Sequence, residues 1–239
     1  MLLKITSRSN EKIKHVVSLR EKKNRLKEGL FVAEGKRSLE MALKAKLVKE
    51  VYSLEELRLP KDIFQYIIDE SVLEKISSLE NPDGVVFVCE TPSLKIEKKD
   101  KLLYLDNLQD PGNVGTLIRT ALGLGFDGVI LSRHSCDPFN DKAISASKGS
   151  IFSLPVIFDD LFNYADTNRI IVSTLSDDSV PLDEVNIKDP FILVLGNEGN
   201  GVSKESLELA DLKVKIPMKI MESLNVSIAG AILMYELSK

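Results

Sequence analysis

The chain has 239 residues, of which 44% are hydrophobic and 28% charged, with two cysteines, two histidines, no tryptophan and a net charge of −4. This composition is typical of a globular protein with one large domain or two small ones. It excludes a disulfide framework and a His/Cys metal cluster, and no apolar run reaches the ~20 residues that span a bilayer.

The charge is unevenly distributed along the chain. Residues 1–49 hold 14 lysines and arginines against 5 acidic residues, whereas residues 102–239 hold 11 against 19. A basic block in front of an acidic body indicates that one end contacts a polyanion. The N-terminus lacks the apolar segment of a secretory signal, so we expect a cytoplasmic protein.

The first part of the chain alternates between helix and strand patterns. Residues 10–25 predict a basic amphipathic helix, because apolar side chains recur on one face. Further helices are predicted at 36–46 and 71–79, and strands at 30–35, 47–54, 65–69 and 84–90. This pattern predicts a small α/β domain over residues 1–93, followed by a lysine-rich linker at 94–101.

A second α/β domain is predicted over residues 102–239. Its strands are near-continuous apolar runs, which favours a mostly parallel sheet with helices on both faces. The strands are expected at 102–107, 128–132, 153–158, 169–175, 191–198 and 212–218, and the helices at 114–124, 140–148, 160–166, 203–209 and 224–237.

Residues 123–128 match the glycine pattern GxGxxG, but in the wrong place for a dinucleotide site. That fingerprint follows a strand and opens a helix, so that phosphate meets the helix N-terminus. Here the pattern follows a predicted helix and precedes a predicted strand, which indicates a helix end and a turn. A nucleotide-dependent oxidoreductase is therefore a weak alternative that only tight NAD binding would support.

Three polar segments each follow or close a predicted strand. They are DNLQDPGNVGTLIRTA (106–121), VLGNEGNGVS (194–203) and KIPMKIMESLNVSIAGAILMYE (215–236). Ligands of α/β proteins bind at the carboxyl ends of the strands, so the three segments are expected to form one pocket.

The same segments resemble the three motifs of the SpoU (TrmH-like) branch of the SPOUT RNA methyltransferases. The matching patterns are N-x-G-x3-R from Asn113 to Arg119, LGNEGxG at 195–201, and IPM…SLNVSxA at 216–229. The resemblance covers residues 102–239, with a loop at 219–222 that is one residue shorter than is usual. Residues 19–43 are similar to the ribosomal-protein-like substrate-binding domain often fused in front of this family.

The resemblance implies a trefoil-knotted α/β domain that binds S-adenosylmethionine and methylates a ribose 2′-hydroxyl of RNA. It also implies a homodimer packed through the motif 1 and motif 3 helices. Ribosomal RNA of the 23S type is preferred, because tRNA-specific relatives lack a separate N-terminal domain. The alternatives are a tRNA 2′-O-methyltransferase and a catalytically silent RNA-binding or assembly module on the same fold.

Four residues are expected to act in catalysis by this resemblance. Arg119 would act as the base or, because guanidinium stays protonated, as a clamp on phosphate or the developing alkoxide. Asn113 would orient the ribose or Arg119, and Glu198 would pair with Arg119 or fix the cofactor loop. Asn225 would hold the loops together or contact the methyl-bearing end, although Asn113, Asn225 and Ser223 could equally be helix caps.

The cofactor and RNA contacts are larger sets. The cofactor would meet mostly backbone and apolar edges, at Leu175, Leu195, Gly196, Asn197, Gly199, Ile216, Met218, Ser223, Leu224 and Asn225. Phosphate contacts are expected from the basic residues Arg20, Lys22, Lys23, Arg25, Lys27, Lys36 and Arg37, unless these form only a solvated basic face. No metal is expected.

Overall fold

The computed structural model describes residues 2–220 and 223–239; Met221 and Glu222 of the shortened 219–222 loop lie outside the described residues. In chain order the strands are β1 (Leu2–Ile5), β2 (Leu30–Glu34), β3 (Val48–Ser53), β4 (Phe64–Ile68), β5 (Val85–Glu90), β6 (Lys101–Leu105), β7 (Gly128–Leu131), β8 (Val156–Phe158), β9 (Arg169–Ser173), β10 (Val180–Pro181), β11 (Phe191–Leu195) and β12 (Leu212–Lys215). The α-helices are α1 (Glu11–Ser18), α2 (Lys22–Glu28), α3 (Lys36–Lys44), α4 (Glu70–Ile76), α5 (Pro111–Gly123), α6 (Asp141–Ser147), α7 (Lys204–Glu208) and α8 (Val226–Leu237).

The chain divides into two compact units. The first runs to Pro92 and then includes the separate segment Phe139–Ser153. Its mixed sheet has the strand order β1-β4-β3-β5-β2. Because side chains alternate across a strand, Val86 and Val88 of β5 join a core with residues of α1 and α4, while Phe87 between them points to the opposite face.

Residues 139–153 supply aromatic side chains to that opposite face. The ring of Phe31 in β2 lies 5.0 Å from the ring of Phe139 and 5.9 Å from that of Phe152, measured between centroids. Gly149 has a φ of +91°, and a Cβ there would lie 2.6 Å from Sδ of Met41 in α3. The positive φ is the reason that glycine is favoured at this position, since Sδ of Met41 is the end of a flexible side chain and can move.

The single helix predicted at residues 10–25 is wrong, because α1 ends at Ser18 and α2 begins at Lys22. Arg25 is 6% exposed, and its Nη1 atom donates to the carbonyl oxygens of Leu19 (2.9 Å) and Arg20 (2.5 Å). Carbonyl groups at a helix end lack intrahelical partners, so Arg25 stabilises the break. Strand β1 was not predicted; it is short and mostly exposed.

The second unit comprises Ser93–Pro138 and Leu154–Lys239. Its sheet has the order β10-β12-β9-β11-β6-β7-β8, and every pairing in it is parallel. The parallel sheet is therefore confirmed. Helices α5 and α8 pack together, and a Cβ on Gly230 of α8 would lie 2.5 Å from Leu117 and 2.7 Å from Leu195.

The GxGxxG segment is a helix end, as its position indicates. Gly125 follows α5 with a φ of +73°, and Gly128 is the first residue of β7. Strands β11 and β12 end at Leu195 and Lys215, earlier than predicted, so the polar residues that follow lie in loops. Within the described part of the chain, no helix combines the length and the apolar character that a membrane crossing needs.

Candidate active site

The three motif segments meet at one edge of the second sheet. Strands β12, β9, β11 and β6 are consecutive neighbours and all run parallel, so their carboxyl ends lie side by side. In the same strand order, the residues that follow these strands are 216–220 with 223–225, 174–179, 196–203 and 106–110. This is the edge where parallel α/β proteins bind ligands.

Asn113 joins all three motifs through its side chain. Its Nδ2 atom donates to Oε1 of Glu198 at 3.0 Å, and its Oδ1 atom accepts from Nδ2 of Asn225 at 3.1 Å. Asp110 caps α5 and accepts from the backbone N–H of Asn113 at 2.8 Å, and Pro111 starts the helix. The cap therefore fixes the turn of helix that carries Asn113.

Asn225 is both a helix cap and a link between loops. Its Oδ1 atom accepts from the backbone N–H groups of Ser227 (2.9 Å) and Ile228 (3.4 Å) at the start of α8. Its Nδ2 atom is thereby directed to Asn113. Ser223, the other residue considered as a cap, is exposed and precedes the cap residue.

The loop after β11 is held by Asn197. Its Oδ1 atom accepts from the backbone N–H groups of Gly199 (2.9 Å) and Asn200 (3.1 Å), and its Nδ2 atom donates to the carbonyl of Asn107 at 2.8 Å. The backbones of Asn197 and Gly201 also exchange hydrogen bonds of 2.8 and 2.9 Å. The side chain, the backbone N–H and the carbonyl of Asn197 are thus all engaged within the protein, so Asn197 holds the shape of this loop.

Gly196 lies where this loop closes on itself. A Cβ atom at Gly196 would lie 2.3 Å from the carbonyl carbon of Gly201 and 2.4 Å from the nitrogen of Val202. Both are backbone atoms that cannot rotate away. Gly199 has space for a Cβ, whose nearest neighbour would be Oδ1 of Asn197 at 3.5 Å.

A buried polar network next to these loops was missed at the level of sequence. Asp106 is 2% exposed and accepts from the backbone N–H of Ser203 (2.8 Å) and from Nδ2 of Asn107 (3.0 Å). Asn107 has a φ of +58°, and its own N–H donates to Oγ of Ser132 at 2.8 Å. The available signal was Asp-Asn directly after an apolar strand, because Asn tolerates this conformation.

Burial also affects a tyrosine beside the network. It raises the pKa of Tyr104, on β6, to about 12, and the negative charge of Asp106 adds to the effect. The phenol therefore stays protonated at neutral pH.

Arg119 stands apart from the three linked residues. It is six residues beyond Asn113 on α5, which is about 9 Å along the helix axis and on a different side. It is exposed, and the structure gives it no hydrogen bond or ion pair within residues 2–220 and 223–239. Glu198 was expected to pair with Arg119 or to fix the cofactor loop. In the structure it contacts Asn113 and not Arg119.

The expected cofactor positions fall into two groups. Leu195 is a core residue with 1% exposure, so its side chain cannot contact a ligand. Leu175 and Leu224 are 59% and 37% exposed on the neighbouring loops, and Ile220, which was not predicted, is 93% exposed. Exposed apolar side chains beside loop backbone suit an adenine ring, so these residues fit S-adenosylmethionine. The half-buried members of the set are Gly196, Asn197, Ile216 and Met218.

Arg25 was predicted to contact RNA, but the structure buries it. Its guanidinium is buried and donates to carbonyl groups of the α1–α2 turn, so it is not available to phosphate. Arg20 is exposed and donates from Nη2 to the carbonyl of Ser77 at 2.6 Å, with other N–H groups left for a ligand.

The remaining basic residues of this set are all exposed. Lys23 pairs with Glu21 at 2.9 Å and Lys36 pairs with Glu55 at 3.0 Å. Such exposed ion pairs contribute little to stability and exchange readily for phosphate. The other exposed members are Lys22, Lys27 and Arg37. Over the part of the chain with described coordinates, no group of three or more His, Cys, Asp or Glu could hold a metal ion.

Comparisons with known proteins agree with this arrangement. Residues 100–235 match the model of the SpoU rRNA Methylase family, and residues 10–86 match the MRM3-like substrate binding domain. A relative from Bacillus subtilis, 23S rRNA (guanosine(2553)-2′-O)-methyltransferase RlmP, is 37% identical and aligned over 98% of both chains.

Two solved structures are similar over nearly the whole chain. The AdoMet-bound rRNA methyltransferase from Sinorhizobium meliloti is 26% identical with a TM-score of 0.90, over 98% of this chain and 97% of that one. The SpoU methyltransferase AviRb from Streptomyces viridochromogenes, in complex with the cofactor AdoMet, is 25% identical with a TM-score of 0.84, over 96% and 97%.

Proposed function

The chain belongs to the SpoU rRNA methylase family and is an S-adenosylmethionine-dependent RNA 2′-O-ribose methyltransferase, and we propose that its acceptor is 23S ribosomal RNA. The observation that carries the assignment of the site is the double hydrogen bond of Asn113. It links Glu198 of the second motif and Asn225 of the third motif to the helix of the first.

Two features support ribosomal RNA over the tRNA alternative. The relative aligned over 98% of both chains is named for a 23S rRNA nucleotide, and residues 10–86 match a substrate-binding domain. The catalytically silent alternative loses support, because Asn113, Glu198 and Asn225 are all present and joined.

The protein's task at this site is alignment. S-adenosylmethionine, when bound, supplies a methyl group already activated on a sulfonium, so the residues must hold acceptor and donor in line. Asn113 and Asn225 fix the starts of α5 and α8 relative to each other, and Glu198 fixes the loop after β11. A displacement of any of these loops misplaces the backbone groups that would hold the cofactor.

We assign the cofactor-holding role to the loops after β9, β11 and β12. Gly196 and Gly199 would contribute backbone groups, Asn197 would hold the loop that carries them, and Leu175 and Leu224 would contribute apolar side chains. The set continues through Ile216, Met218, Ser223 and Asn225.

We assign to Arg119 the stabilisation of negative charge on the acceptor. Its guanidinium is exposed and stays protonated, so it can bind phosphate or the developing alkoxide but is a poor base. Loss of such a charge-stabilising donor typically costs about 10²–10³ in rate.

A homodimer is proposed from an apolar stripe on α8. Ile228, Ile232 and Tyr235 are 53%, 39% and 58% exposed, and their spacing puts them on one face of the helix. We expect Ile232→Glu to give a monomer in size-exclusion chromatography with light scattering. Phe162→Glu, at an apolar residue that is 73% exposed elsewhere in the same unit, should leave the mass unchanged. A monomeric wild-type protein would contradict the proposal.

The trefoil knot stays a prediction, as do the domain boundaries at residues 93 and 102. Because the proposed substrate is ribosomal RNA, we also propose that the protein works in the cytoplasm.

The testing experiment is transfer of labelled methyl from S-adenosylmethionine to total RNA from cells lacking the protein, with mapping of 2′-O-methylated sites. One new mark in 23S rRNA, lost with Arg119→Ala, is expected. Arg169→Ala is the matched control, because Arg169 is exposed at the opposite, amino end of β9. A mark found only in tRNA would overturn the acceptor. Failure to bind S-adenosylmethionine would overturn the assignment of the loops.

A further inference from the structure

A pocket of about 250 Å³ opens in the first unit, and every residue that lines it belongs to that unit. Its apolar floor includes Val32 of β2, Ile76 of α4 and Ile144 of α6. Three cations line it as well: Arg20, Arg37 and Lys148.

Each of the three carboxylates in the wall accepts a hydrogen bond within the protein. Glu34 accepts from the Oγ atom of Ser77 (2.5 Å) and from the N–H and Oγ of Ser78 (both 2.7 Å). Asp83 accepts from the backbone N–H of Lys36 at 2.8 Å, which satisfies one free donor at the start of α3.

Two of the three cations, unlike the carboxylates, have no partner among the described residues. Arg37 and Lys148 are exposed and make no hydrogen bond or ion pair with any residue that the structure describes. Asp141, the third carboxylate of the lining, accepts from the N–H of Lys142 at 3.0 Å. Cations and carboxylates are therefore equal in number, and the pocket offers a ligand two cations without partners in the described part of the chain, beside apolar surface. Unpaired bases are bound in this way, with the base against apolar or planar groups and the phosphate on cations.

We propose that this pocket binds one unpaired nucleotide of the RNA substrate, with the base on the floor and the backbone phosphates at Arg37 and Lys148. The proposal rests on the proposed function for its substrate class. At about 250 Å³ the pocket is smaller than pockets for drug-sized ligands, which hold about 300–1,000 Å³, so it suits one base with its phosphates outside. Polar side chains that could meet the base edge are Ser38, Ser78, Asn81 and Ser145.

Lys148 comes from a part of the sequence that was not expected to line this pocket. It lies within residues 100–235, the stretch that matches the methylase model, and not within the matched substrate-binding domain. Its φ of +50° is that of a left-handed helix cap, because Lys148 ends α6 and its N–H donates to the carbonyl of Ser145. The end of α6 therefore fixes the backbone from which the lysine side chain extends.

The test uses the full chain and 23S rRNA from cells lacking the protein. Arg37→Gln and Lys148→Gln are each expected to raise the KM for RNA about tenfold, with kcat and the Kd for S-adenosylmethionine unchanged. In filter binding between 50 and 200 mM salt, the slope of log K against log salt should fall by about 0.7 for each cation removed. Lys75→Gln is the matched control, because Lys75 is exposed on α4 outside the pocket.

A pocket-filling variant separates the pocket from a general basic surface. Ser145→Trp keeps all three cations and should also raise the KM for RNA. If Ser145→Trp does not fold, Ser78→Trp, on an exposed loop, is the second variant that fills the pocket. An RNA affinity equal to that of the wild type in the cation variants or in the filling variants would overturn the proposal. The proposal would also be overturned if free AMP or GMP bound in the pocket while the affinity for RNA, measured in the presence of that nucleotide, stayed unchanged. If the wild type methylates no 23S site, the proposed function fails, while the filter-binding comparison still decides the pocket.

Discussion

Replacing Gly196 by alanine is expected to remove cofactor binding. The added Cβ would lie 2.3 Å from the carbonyl carbon of Gly201, whereas ordinary contact begins at 3.4 Å. The loop 197–202 must therefore move by about 1 Å, and it cannot do so without disturbing Glu198. Forcing extra volume into a packed site costs about 1–3 kcal/mol. A displacement of 1 Å at a reacting centre costs roughly 10²-fold in rate.

The same loop provides matched comparisons. In Gly199→Ala the Cβ would meet only Oδ1 of Asn197 at 3.5 Å, so it should reduce activity at most a few fold. In Gly201→Ala the Cβ meets nothing within 4 Å, but the φ of +69° costs an alanine about 1–2 kcal/mol. Isothermal titration with S-adenosylmethionine, methyl transfer to 23S rRNA and thermal melting should be measured for all three.

The expected order of lost affinity is Gly196→Ala first, then Gly201→Ala, then Gly199→Ala. Equal affinity in Gly196→Ala and Gly199→Ala would refute the argument from backbone crowding. Loss of melting temperature in Gly196→Ala without loss of binding would show that the loop strain is absorbed away from the site.

Three further outcomes are expected. Asn113→Asp places a second carboxylate about 3 Å from Glu198, a repulsion of roughly 1–4 kcal/mol, and should lower methyl transfer; adding Glu198→Gln should restore part of it. Burial raises the pKa of Cys89, so in a Cys136→Ser background the remaining thiol should react with a disulfide reagent only on unfolding. Hydrogen bonds from the Val72 N–H and the Ser71 hydroxyl lower the pKa of Asp69. The charged form of Asp69 therefore stabilises the fold fully above about pH 4, and this contribution is lost as the pH falls through the lowered pKa. In denaturant unfolding, the free energies of unfolding of Asp69→Asn and wild type should converge in acid. A difference that stays constant with pH would contradict this.

Sequence patterns were sufficient to predict those features that depend on residues close together along the chain. The apolar strands predicted the parallel sheet, and the order of helix, glycines and strand at 123–128 excluded a dinucleotide site. The three motif segments predicted one cluster, because parallel strands place their carboxyl ends together.

Long-range packing was beyond such signals. Nothing near Phe139 or Phe152 indicates that their rings pack on Phe31, more than a hundred residues earlier. Arg25 looked like any basic surface residue, and only the break between α1 and α2 gives its guanidinium buried carbonyl groups to bind.

The placement of Phe139–Ser153 has a consequence for synthesis of the protein. The face of the first sheet that carries Phe31 and Phe87 lacks the rings of Phe139 and Phe152 until a segment roughly 60 residues beyond Pro92 has left the ribosome. At about 5–20 residues per second, that interval lasts about 3–12 s. During it the nascent chain exposes part of an aromatic surface, so we expect chaperones to engage it there and the first unit to complete folding only after Ser93–Pro138 of the second unit has been translated.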